Sequence, residues 1–193
     1  MTEKFMKKVY SPEIFFDDLH FLINNISKII GAFGNKDINR PFIEKIMTVT
    51  TAVNGCVYCS WFHAKQALAS GISEKEVQDL LNLQFHTTAS KFEITALMYA
   101  QHYAETDRGP DPEMTSRLFD HYGEETANDI LLLIRMITFG NLFGNTWDAV
   151  INRLKGNTAE DGNLSFELLF FLVSFLFMVP MMLIIGKSDG SSG

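Results

Sequence analysis

Residues 43 to 77, "IEKIMTVTTAVNGCVYCSWFHAKQALASGISEKEV", decide how this chain folds. The apolar positions before Asn54 recur at helical spacing. Asn54-Gly55 then offers the positive backbone angles that stop one helix and start the next. A second helix carries "CVYCSWFH", ends near Gly71, and gives way to Ser73 with Glu76 at capping-box spacing, so another helix starts there.

The same signals continue outward. Ser11-Pro12 opens a first helix with Ile14, Phe15, Leu19, Leu22, Ile23, Ile26 and Ile30 as its apolar positions, ending near Gly31, and Pro41 opens the second. Ser90 with Glu93 repeats the capping-box spacing. Asp111-Pro112 begins a further helix, and a long stretch from about Glu125 to Leu154 closes the domain. No convincing alternating strand and no internal repeat interrupts the pattern. The expected fold is all-α.

The chain has 193 residues, 47% of them hydrophobic, enough for one domain with a core of its own and no need of a disulfide framework. A formal charge of -7, with no run of lysine and arginine, argues against a nucleic-acid partner, whose phosphates require clustered positive charge. The basic amino terminus has no apolar stretch behind it to act as a secretory signal. The two cysteines are therefore expected in a reducing cytoplasm, where a close pair is catalytic or metal-binding more often than structural.

From Leu168 to Ile185 run eighteen residues without a charge, thirteen of them Leu, Ile, Phe or Val. At roughly -0.4 kcal/mol each on an insertion scale these sum to about -5 kcal/mol, enough to outweigh Ser174, Pro180 and a terminal Glu167. The segment shows no polar face, so a transmembrane helix over 166–186 is expected rather than a buried or subunit-contact helix. A linker over 157–165 would join it to a helical domain spanning 1–156, and 187–193 would form a disordered tail. Arg153 and Lys155 before the span, against Lys187 after it, favour a domain facing the cytoplasm.

The chemistry lies in the quoted stretch. Cys56, Cys59 and His63 project from one face of the third helix, with Cys56 in its first turn. A thiol at that end feels the positive end of the helix dipole, which favours the thiolate and points to Cys56 as the nucleophile. A second cysteine three residues on can intercept the oxidised sulfur before it reaches the irreversible acids. Histidine titrates in the range needed for proton transfer, and Glu44, in the preceding helix, could fold back toward it. Two plainer readings stand beside this one. The cluster could hold zinc, with Glu44 as fourth ligand, although structural zinc sites draw ligands from separate elements, or the cysteines could be buried hydrophobes. His20, His86, His102 and His121 show no partner at a telling spacing. Trp61, Phe62 and Trp147 read as core or subunit contacts, and Gly140, Asn141, Gly144 and Asn145 as a packing or oligomer seam.

Glu44, Cys56, Cys59 and His63 at this spacing resemble the signature of the alkyl hydroperoxidase D and carboxymuconolactone decarboxylase superfamily, and the resemblance extends from about residue 10 to 156. It implies an all-helical, oligomeric fold in which the cysteines form a dithiol and disulfide couple. Cys59 would be the peroxide-attacking thiol, Cys56 its resolving partner, and Glu44 with His63 the proton relay. That order of attack differs from the dipole argument. The position before the second cysteine, histidine in the hydroperoxidase, is Tyr58 here, while the decarboxylases lack the cysteine pair. The implied activity is a thiol-dependent peroxidase without bound cofactor, reduced by an external dithiol donor such as a lipoyl group or a thioredoxin-like protein. The alternatives are a thiol-disulfide exchanger or redox sensor, a relative of the decarboxylases with another activity, or a non-redox scaffold.

Overall fold

A computed structural model of the protein describes residues 5–159 and 162–189, apart from the side chains of 177 and 181–189. It is built of α-helices: α1 (Pro12–Ala32), α2 (Arg40–Asn54), α3 (Val57–Ala69), α4 (Glu74–Leu81), α5 (Ile94–Glu105), α6 (Pro112–Leu154) and α7 (Leu164–Asp189). The described residues contain no strand, only an isolated bridge between Phe5 and Ala159.

Local chemistry sets the helix starts. The Ser11 side chain accepts from the Ile14 amide and Asn39 from that of Phe42, each beside a proline in the first turn. Ser73 caps α4 in the same way. Ser90 and Glu93 form a reciprocal capping box, but the turn it closes precedes α5 rather than opening it. Gly123, at φ 75°, interrupts α6, so its two halves are the two helices expected from the sequence.

α2 is the central element. Its residues Phe42 to Thr51 are buried, against α3, α4, α5 and α6. A charge inside such a helix must be matched. Lys45 reaches Glu76 at 2.7 Å and Glu93 at 2.8 Å. Burial raises the Glu93 carboxyl, but the hydrogen bonds from Lys45 and Ser90 outweigh it and hold it below the usual carboxylate range. The core around this triad takes in Ile46, Val49, Leu80, Leu97, Leu133 and Ile137.

The transmembrane helix expected over 166–186 corresponds to α7, which is a helix but with other bounds. α7 begins inside the expected linker and continues through Asp189, while 190–193 lie outside the described residues. One face of α7 is seated on α6. Glu167, 1% exposed, binds Arg153 through both carboxylate oxygens at 2.7 and 2.9 Å. Phe171 stacks on Trp147 with ring centroids 4.1 Å apart, and Phe170, Ser174 and Met178 are buried on the same side. The docked side carries two polar residues, Glu167 and Ser174, among apolar ones. Its other face leaves Leu168, Leu169, Leu172, Val173, Phe175 and Leu176 exposed. Among the described residues the one helix long and apolar enough to cross a membrane is α6, not the carboxyl-terminal segment, whose described apolar stretch, Leu164–Leu176, is shorter; most of the α6 window is buried in the protein, as a core helix requires.

Candidate active site

The site forms where α2 hands over to α3. Gly55 takes the left-handed conformation, φ 70°, and its amide donates to the Thr51 carbonyl at 2.8 Å, closing α2. Asn145 of α6 donates to the Asn54 carbonyl at 2.8 Å, and Thr51 donates to Asn141 at 3.0 Å, so α6 holds the turn from below. The next residue, Cys56, is not in the first turn but is the N-cap of α3, and its sulfur accepts from the Cys59 amide at 3.3 Å.

Cys56 and Cys59 are joined in a disulfide, with Cα atoms 5.3 Å apart. Cys56 is fully buried and Cys59 half-buried, with its sulfur 3.5 Å from the Gly140 carbonyl. One turn further along α3, His63 Nδ1 lies 2.9 Å from Glu44 Oε2. The two helices of the hairpin therefore bring a carboxylate and an imidazole together one turn along α3 from Cys59. Glu44 is held on its other oxygen as well, by Arg40 at 2.9 Å, and Arg40 in turn reaches Gln66 of α3 at 2.8 Å.

Arg40 and Gln66 escaped the sequence reading. The four-residue spacing of Arg40 to Glu44 was a usable signal for the first, whereas Gln66 needs the hairpin geometry. Gly144 also escaped as a site residue. A Cβ there would sit 2.7 Å from the Cys56 sulfur, 3.4 Å from the Tyr58 ring and 3.9 Å from the Cys59 sulfur. The Gly140 to Asn145 seam is a packing seam within the chain, and it serves the disulfide. Tyr58 is half-buried, and that burial, with Asp148 nearby, raises its phenol above the usual range.

The other histidines lie elsewhere. His102 accepts from the Asp111 amide at the start of α6, and His20 pairs with Asn24 on α1. Among the described residues no group of three or more His, Cys, Asp or Glu is placed to hold a metal ion.

Residues 25–101, which carry α2, α3 and the whole Glu44 to His63 constellation, match the model of the carboxymuconolactone decarboxylase family. The chain is also 31% identical over 124 residues to the uncharacterized protein YdfG of Bacillus subtilis (strain 168), an alignment that takes in 63% of this chain and 78% of that protein. With the helical hairpin, its cysteine pair and these likenesses in agreement, the chain belongs to the carboxymuconolactone decarboxylase family.

Proposed function

We propose that the protein is a thiol-dependent peroxidase in which Cys59 attacks, Cys56 resolves, and Glu44 with His63 moves the proton. The observation that carries this reading is the pairing of the bonded Cys56 and Cys59 with a Glu44–His63 hydrogen bond one helical turn away. The Cys59 thiolate displaces the alkoxide of a hydroperoxide, forming a sulfenic acid, while His63 supplies the proton that leaves with the alcohol. The Cys56 thiol then attacks that sulfur, forming the disulfide and releasing water. An external dithiol, a lipoyl group or a thioredoxin-like protein, takes up the oxidation and restores both thiols. The half-buried Cys59 is the sulfur a peroxide can reach; the fully buried Cys56 suits the resolving role.

Turnover of tert-butyl hydroperoxide with a dithiol donor tests the reading. Glu44→Gln and His63→Ala are each expected to lower the rate by about 10²-fold, the usual worth of a positioned acid or base. A parent rate no higher than that of the doubly serine-substituted chain would leave thiol-disulfide exchange or sensing as the activity.

The exposed outer face of α7 supports a second proposal, that the protein is attached to a membrane there, with the domain on the cytoplasmic side. The full chain is expected to sediment with membranes and to be released by detergent. Recovery in the soluble fraction without detergent overturns the attachment.

A further inference from the structure

α1 carries two apolar faces. One faces the core through Ile29 and Ala32, and through Phe15, which packs on Phe139 and Phe170. The other faces outward and consists of Phe16, Leu19, Ile23, Ile26, Ile30 and Phe33, at successive spacings of three, four, three, four and three residues. Leu19 is half-buried; the remaining five are 61, 63, 61, 67 and 45% exposed. An alternation of threes and fours is the spacing at which one helix packs along another. Among the described residues nothing covers this stripe.

The stripe reads the same from either end. A two-fold axis crossing α1 level with the Asn24–Asn25 peptide sets Phe16 against Phe33, Leu19 against Ile30, and Ile23 against Ile26 of a second copy. Ring meets ring at the ends, and β-branched side chain meets β-branched side chain in the middle. Exposed Glu13 lies at one end of α1, and exposed Lys36 follows the other end in the turn beyond Ala32. Along the outer flank His20, Asn24 and Ser27 supply no carboxylate that its symmetry mate would repel. An isologous interface requires this self-complementarity, and a bilayer or an unrelated helix does not.

At roughly 200 Å² for each such side chain, the five exposed residues offer on the order of 600 Å² per copy. Pairing two copies then removes on the order of 1,200 Å² from water, the lower edge of specific interfaces. The groove between Phe16, Leu169 and Val173 continues the apolar surface beyond the end of the stripe.

We propose that this face of α1 is the seam of a two-fold dimer, in which α1 of one copy packs antiparallel on α1 of the other. The sequence offers Gly140 to Asn145 as a packing or oligomer seam, but in the structure those residues pack within the chain. Sedimentation of the full chain in mild detergent gives its mass, and the parent is expected at twice the chain mass, allowing for bound detergent. Ile23→Glu combined with Ile30→Glu, both at exposed positions, is expected to halve that mass while leaving the far-ultraviolet circular dichroism unchanged. The antiparallel register makes a sharper demand. Ile23→Glu with Ile26→Lys places opposite charges across the axis twice and is expected to return most of the dimer that Ile23→Glu alone loses. A monomeric parent, a dimer indifferent to the glutamate pair, or no rescue by the lysine overturns the proposal. So does a glutamate pair that abolishes vesicle binding at unchanged mass, which would show that a lipid surface covers the stripe.

Discussion

Cys59→Ser is expected to abolish peroxide turnover, with a loss of at least about 10³-fold, the scale on which removal of a covalent nucleophile acts. Cys56→Ser is expected to behave differently. It retains the half-buried sulfur, so each chain should release one equivalent of alcohol in a burst and then stall as a sulfenic acid that a dimedone-type reagent captures at Cys59. The two variants separate the competing arguments about the order of attack. The Cys59 amide points at the Cys56 sulfur and favours a thiolate there, which on that ground alone makes Cys56 the nucleophile. Burial argues the other way, because a sulfur with no exposed surface meets no peroxide until the helices part. A burst in Cys59→Ser and none in Cys56→Ser would reverse the assignment.

The second large effect is expected at Gly144. Alanine is normally the better residue inside a helix, by about 1 kcal/mol. At Gly144 that gain is opposed by a Cβ 2.7 Å from the Cys56 sulfur, which is tied into the disulfide and cannot swing aside as a free side chain would. Overpacking of this kind costs about 1–3 kcal/mol, so Gly144→Ala should destabilise the protein and slow closure of the disulfide. Gly140, one turn earlier on α6, is the internal control, since a Cβ there meets nothing within 4 Å. Gly140→Ala should raise stability by about 0.5–1 kcal/mol. Denaturant melts of both variants, with turnover measured alongside, check the opposite signs. Equal effects would show that the α3–α6 contact is looser than the distances indicate.

The helix ends were the most legible part of this sequence, because each rests on a residue whose local chemistry is decisive. Ser11-Pro12, Pro41, Asn54-Gly55 and Ser73 all mark real boundaries. The Ser90 box was read as the start of α5 because a capping box stabilises any turn, whether or not a long helix follows at once. Glu44 and His63 could be named from spacing, but their meeting depends on how the hairpin closes over nineteen residues, which no local signal fixes.

Other features were hidden by the pattern itself. The apolar residues of α1 form one broad set in sequence, and only packing divides them into Phe15, Ile29 and Ala32 facing inward and Phe16, Ile23, Ile26 and Ile30 facing out. In α7, hydropathy averages away Glu167 and Ser174, the two polar residues of the docked side. Glu167 looked like an uncompensated charge at the edge of a greasy segment until Arg153, fourteen residues earlier, supplied its partner. Gly144 was legible only as part of a small-residue seam, because its value at the disulfide lies in an atom it lacks and in a neighbour eighty-eight positions away at Cys56.

The clamp between Arg153 and Glu167 also governs how far the reaction centre can reach. A catalytic head on a slack leash sweeps a hemisphere and samples substrates at many heights. Here the last helix is bolted to the one before it by a double hydrogen bond and a ring stack, so whatever surface receives its greasy side also fixes the pitch of the sulfurs above that surface. On the proposed peroxidase reading, altitude as much as shape would choose the oxidants it meets.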